Sequence, residues 1–180
     1  MVGEFIAYLK IFLSIPAAYY LLAVSTAAAT MVVVSAGSRS RQREVSKRRI
    51  AASGILAGWL FFTLAETVLC REPGTSRSMQ LRLFWSYRSH IRDLQAVNLF
   101  NVLLLMPAGF LLPLVGVKRL WKTVLLGFLW SLLIESLQYA TMRGLFEADD
   151  LFHNTLGACL GYLNYRLICR IAELIRKRKD

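Results

Sequence analysis

Apolar residues along the chain fall into five blocks punctuated by charge: Phe5–Ala36, Ile50–Cys70, Leu99–Val117, Val124–Thr141 and Leu151–Ile171. None alternates with the two-residue period of a half-buried strand, and each comes near or exceeds the about 20 residues that a helix needs to cross a bilayer. Within hydrocarbon every backbone N–H and C=O must pair inside its own segment, which leaves helix as the conformation of each block. The pattern therefore predicts an all-α fold, a polytopic integral membrane helix bundle of about five transmembrane helices, in one domain over residues 1–180. Pro16 lies inside the first block, where the loss of one backbone hydrogen bond predicts a kink or bend.

Composition strengthens the membrane reading. Hydrophobic residues make up 56% of the 180 and the mean hydropathy is +0.48, whereas soluble domains reach roughly 45–50% apolar only with glycine included. Soluble and disordered classes are excluded together. The 22 Lys+Arg against 11 Asp+Glu leave a net charge of +11, but the basic residues cluster between apolar blocks. The positive-inside rule and anionic headgroups account for them there, so no nucleic-acid partner is expected.

Charge placement also sets direction. The basic loop 38–49 (Arg39, Arg41, Arg43, Lys47, Arg48, Arg49), the connection Lys118–Lys122 and the basic tail 172–180 fall on one side of a five-span bundle. That side is expected to be cytoplasmic, with the N-terminus outside and the C-terminus inside. The other side holds the acidic Gly144–Asp150 and the longer extracytoplasmic loop 71–97, whose Arg71, Arg77, Arg82, Arg88 and Arg92 run against the bias. In that loop Leu81, Phe84, Tyr87, Ile91 and Leu94 recur at helical spacing, and Trp85 and Tyr87 suit headgroup depth. An interfacial or re-entrant segment is expected rather than a free loop.

Intramembrane ionisable residues are costly, about 2.5–3.5 kcal/mol for a carboxylate at mid-bilayer on insertion scales, so they invite functional readings. The fourth block carries Ser131, Glu135 and Gln138 on one face, and the fifth carries Asp150, Asn154, Gly157 and Gly161 on one arc. The third opens with Asn98 and Asn101, with Pro107 and Gly109 below marking a kink. At 1.5 Å per residue Glu135 lies about 9 Å and Asn154 about 5 Å inside the same end of the bundle, and Glu66 and Arg71 belong to that layer. Polar residues serving only as glue between helices have no reason to share one depth.

Packing explains part of this set. Ser131, Gly157 and Gly161 read as helix contacts, the glycines as a GxxxG face. Asp149 and Asp150 at the start of the fifth helix suit its free N–H groups and dipole. With His153 they offer three possible metal ligands, but no second histidine is near in sequence, so no metal and no cofactor is assigned. Cys70, Cys159 and Cys169 have neither CxxC nor Cys/His spacing.

Three stretches in order, Asn101-x5-Pro107-x-Gly109-Phe110, Ile134-Glu135-x2-Gln138, and Arg143 followed by Asp149-Asp150-x3-Asn154-x-Leu156-Gly157-x3-Gly161-Tyr162, resemble the VanZ-like membrane proteins. The resemblance covers about residues 98–162, with Arg71 a weaker match. Where that family often has a proline-containing segment in the first outside loop, this chain has Leu81-Arg-Leu-Phe84-Trp-Ser-Tyr87. The resemblance implies a multi-pass protein of the bacterial cytoplasmic membrane, whose founding relative gives low-level resistance to teicoplanin and related lipoglycopeptides. Arg71, Asn101, Glu135, Gln138, Arg143, Asp149, Asp150 and Asn154 form the candidate binding set, with Glu135 the candidate acid or base. The expected partners are membrane lipids or a lipid-tailed glycopeptide, and no protein partner is specified. The rival classes are a membrane-embedded enzyme acting on a cell-envelope lipid and a structural subunit whose polar stripe docks another helix.

Overall fold

The structure, a computed structural model, describes residues 14–40, 44–89 and 92–178 together with Ile6, Leu9 and Lys10. In chain order the elements are α1 (Ala17–Ser40), α2 (Lys47–Leu64) continued by a π-helical turn (Ala65–Leu69), β1 (Met79–Gln80), α3 (Trp85–Arg88), α4 (Arg92–Val115), α5 (Leu120–Thr141), β2 (Phe146–Glu147) and α6 (Ala148–Lys177). Among the described residues, four helices are long and apolar enough to cross a membrane: α1, α2 with its π turn, α4 and α5. The expected fifth span corresponds to α6, 30 residues long with an acidic first turn and a basic last turn.

Local chemistry moves several boundaries. The break expected near Pro16 is present: the chain is helical at Ile6, Leu9 and Lys10, turns at Ser14 and bends at Ile15, and α1 begins just after Pro16, whose carbonyl accepts the Tyr19 N–H at 2.9 Å. Proline suits the entry to a helix because an N–H there would have no intrahelical partner. Phe5, residues 7–8 and residues 11–13 of that block lie outside the described residues. Helix α2 starts before Ile50 because Ser46 caps it, its hydroxyl accepting the Arg49 N–H at 3.3 Å. Helix α4 starts well before Leu99 and passes through Pro107 and Pro113.

Glycines set how closely the helices approach. A Cβ at Gly157 would lie 2.0 Å from the Val102 carbonyl oxygen, one at Gly161 2.0 Å from that of Met106, and one at Gly109 2.1 Å from that of Ala158. The matching four-residue steps make α4 and α6 parallel neighbours whose backbones touch, so the GxxxG face packs as its spacing implies. Gly109, expected to mark a kink, is part of this contact. Helix α1 leans on α2 through Gly54 and Gly58, which face Met31, Ala27 and Ala23, and has no buried residue of its own.

Two ends result. At one, the Arg49 guanidinium lies against Gly116, where a Cβ would come within 3.0 Å of it, and the Tyr162 hydroxyl donates to the Lys118 carbonyl at 2.7 Å. At the other, the 70–89 connection folds onto the turn after α5. The Gly74 N–H donates to Met142 O at 2.6 Å, and β1 pairs in parallel with β2 in the register Met79 to Phe146 and Gln80 to Glu147. The helical spacing from Leu81 to Leu94 does not make one helix. Phe84 adopts a left-handed conformation (φ 62°), which ends any continuous turn and starts the short α3. Ile91 lies outside the described residues.

Candidate functional site

The site is assembled at the loop end by a widened helical turn. At Ala65–Leu69 the Cys70 N–H reaches back to Ala65 O at 2.9 Å, the spacing of a π turn. Such a turn re-aims its carbonyls, and here other elements take them. The Gln138 side-chain amide donates to Thr67 O at 3.0 Å, and Arg143 Nη1 donates to Val68 O at 3.1 Å and Leu69 O at 2.8 Å. Gln138 and Arg143 thus fasten α5 and its following turn to the end of α2. Arg143 itself is positioned by the left-handed Met142 (φ 57°) at the end of α5, with the Arg143 N–H returning to Gln138 O at 2.9 Å.

Arg71, just past the π turn, is the positive centre of a group of carboxyls. Its charge acts on Glu66, Glu135, Glu147 and Asp150. Its guanidinium and the Gln138 side chain both lie against Gly144: a Cβ there would sit 3.3 Å from Arg71 Nη1 and 3.2 Å from the Gln138 amide carbon. Glu135 is buried at 1% exposure, and its Oε2 accepts the Glu147 N–H at 2.9 Å, so a carboxylate of α5 serves the start of α6. The Glu147 side chain lies in the connection outside the helices. Burial pushes its carboxyl above the ordinary range, the Asp149 charge adds to that, and Arg71 opposes it.

One helical turn further in, the Asn154 amide donates to Ser131 Oγ at 2.9 Å. Asn154 is 2% exposed and its Oδ1 has no hydrogen-bond partner among the described residues. Asn101 faces Asp150 from α4, and its buried Nδ2 likewise lacks a bond of normal geometry. Leaving a buried polar atom unsatisfied costs about 1–3 kcal/mol. Asn154 Oδ1 is therefore a buried acceptor open to a water or ligand, as Trp85 Nε1 and Thr123 Oγ1 are open polar atoms outside the cluster.

A cavity of about 320 Å³ opens beside this cluster between the start of α1, the end of α2 and α4. Its polar lining includes Glu66, Thr67, Arg71 and Asn101, and its apolar lining includes Ile15, Pro16, Val97, Phe100 and Leu104.

Asp149 has a different task. Expected to cap its own helix, it instead accepts from the Phe84 N–H, the Ser86 N–H (3.1 Å) and the Ser86 hydroxyl, while Asn98 donates to Ser86 Oγ at 2.9 Å. The left-handed Phe84 followed by α3 converges these donors on one carboxylate. His153 completes the latch, joining the Tyr87 hydroxyl at 2.7 Å through Nε2 and the Asp149 carbonyl at 2.6 Å through Nδ1. Hydrogen bonds to a charged acceptor contribute about 1.5–3 kcal/mol each. Asp149→Asn, which presents an N–H₂ to donors, should therefore raise the tryptic cleavage rate at the exposed Arg82 and Arg88 by tenfold or more. An unchanged rate in the purified protein would show that the latch does not hold the loop.

The structure thus gathers Arg71, Asn101, Glu135, Gln138 and Asp150 around one charge centre, sets Asn154 a turn below, and turns Arg143 and Asp149 to fastening roles. Ser86, the hub of the latch, carries no periodic signal, because its partner in α6 is remote in sequence.

Apolar helices enclosing a polar, cavity-bearing end define an integral membrane helix bundle. A family model for VanZ/LLP1 matches residues 49–170, and the chain belongs to that family. The match starts at α2 and leaves α1 outside it. No curated protein and no solved structure matches the chain.

Proposed function

We propose that the protein lies in a bacterial cytoplasmic membrane with its N-terminus outside, and that its loop end is an outward-facing pocket engaging a lipid-like amphiphile. The observation that carries this reading is the cavity of about 320 Å³ lined by both charged or polar and apolar side chains. Ligand pockets pair an apolar lining with a few converging polar groups in this way. An acyl chain would lie along Ile15, Val97, Phe100 and Leu104, and the head would meet Arg71 and Asn101. In keeping with the resemblance of its motifs, the protein would protect the cell against teicoplanin-type lipoglycopeptides by changing how a lipid-tailed molecule sits at the outer leaflet. Expression in a sensitive host should raise the inhibitory concentration of teicoplanin and leave that of vancomycin, which has no acyl tail, nearly unchanged. Equal protection against both would remove the tail from the account.

Orientation has its own test. In a background lacking Cys70, Cys159 and Cys169, Ser76→Cys should react with an impermeant maleimide in whole cells, and Lys118→Cys only after lysis. Both positions are exposed, at opposite ends of the bundle. Reversed labelling overturns the orientation and moves the pocket to the cytoplasmic side.

A further inference from the structure

The cavity at the loop end presents opposite charges. Glu66 reaches it from the π turn and Arg71 from just beyond, so both belong to the same end of α2. Their charges act on each other, yet no hydrogen bond joins them among the described residues. Arg71 also faces Glu135, Glu147 and Asp150, while Arg143 is turned to the carbonyls of Val68 and Leu69. A ligand with one negative and one positive group can meet Arg71 and Glu66 at once, where a purely anionic one would leave Glu66 in the cavity wall unmatched.

The donors and acceptors divide accordingly. Arg71 and the side-chain amide of Asn101, which also meets Asp150, are donors suited to phosphate oxygens, and Glu66 is an acceptor suited to an ammonium. The apolar lining suits the glycerol backbone and first methylenes. At about 320 Å³ the cavity is at the small end of ligand pockets, the size for a headgroup whose chains run out along the helices.

We propose that the cavity takes an amine-bearing zwitterionic lipid headgroup, its phosphate at Arg71 and Asn101 and its ammonium at Glu66. This rests on the reading of the cavity as an amphiphile site.

The test uses the full chain purified in detergent and titrated with dioctanoyl phosphatidylethanolamine, dioctanoyl phosphatidylglycerol and chainless phosphoethanolamine, with binding read by native mass spectrometry. The ethanolamine lipid should bind about tenfold more tightly than the glycerol lipid, the scale of one charge-assisted contact, and more tightly than the chainless head. Glu66→Gln should bring the two lipids to equal affinity, and Arg71→Gln should weaken both. Equal or tighter binding of the glycerol lipid by the unsubstituted protein overturns the proposal while leaving an amphiphile site standing. So does a preference that survives Glu66→Gln. Chainless phosphoethanolamine binding as tightly as its lipid assigns the site to a soluble ligand and overturns the lipid assignment. If neither lipid binds, the amphiphile reading falls along with the headgroup.

Discussion

Gly157→Leu should leave no stably folded bundle. A Cβ at that position would lie 2.0 Å from the Val102 carbonyl oxygen and 3.1 Å from the Val102 Cα, so the obstacle is the backbone of α4. A side-chain obstacle could rotate away, but a helix backbone can only be pushed aside whole. Displacing α4 from α6 separates Asn101 from Asp150 and undoes the neighbouring contacts of Gly161 and Gly109. Overpacking within a core typically costs about 1–3 kcal/mol, and here three backbone contacts fail together, so the loss should exceed that range and approach total stability. Gly37→Leu supplies the control. Nothing lies within 4 Å of the place its Cβ would take in α1, and leucine is the better helix former by about 0.8 kcal/mol or less. Thermal unfolding in detergent should show the control melting with the unsubstituted protein and Gly157→Leu failing to give a monodisperse folded peak. Comparable melting of both variants would mean that α4 and α6 do not depend on this close approach.

The features legible in the sequence were those with a local period. Glu135 and Gln138 share a face of α5, Asp150 and Asn154 share one of α6, and a common depth in two such stripes is enough to bring them to one end of a bundle. Gly157 and Gly161 were legible for the same reason, since the small-residue step states which face another helix must meet. Long-range capture left no such trace. Nothing local to Asp149 says that its carboxylate serves Phe84 and Ser86 rather than its own helix, and nothing local to Arg143 says that it serves the carbonyls of Val68 and Leu69. The π turn was equally hidden. One extra residue in a helical turn preserves the apolar pattern of α2 while re-aiming its last carbonyls. Pro16 was legible as a break in the first apolar block, but apolar composition on both sides of it hid that the long helix α1 begins at Ala17.

Glu135→Gln and Asn154→Ala should each abolish protection against teicoplanin in a sensitive host, with the inhibitory concentration falling to that of cells without the protein. The two substitutions ask different questions. Glutamine keeps the shape of Glu135 and a carbonyl oxygen able to accept the Glu147 N–H, now held at 2.9 Å, so the start of α6 should stay in place. Only the ability to carry charge or exchange a proton beside Asp150 and Arg71 is lost. Alanine at 154 removes the donor to Ser131 Oγ and the unsatisfied Oδ1, one turn further in. Deleting the unsatisfied atom offsets part of the cost of leaving the buried Ser131 hydroxyl without its donor, so a thermal melt in detergent accompanies the protection assay. Membrane abundance measured by immunoblot must match the unsubstituted protein for the comparison to count. If Glu135→Gln alone loses protection, ionisation at Glu135 is the operative property and the deeper layer is packing. If both variants protect fully at matched abundance, Glu135 and Asn154 hold helices together and do nothing more, and the site is confined to the neighbouring cavity lined by Glu66, Arg71 and Asn101.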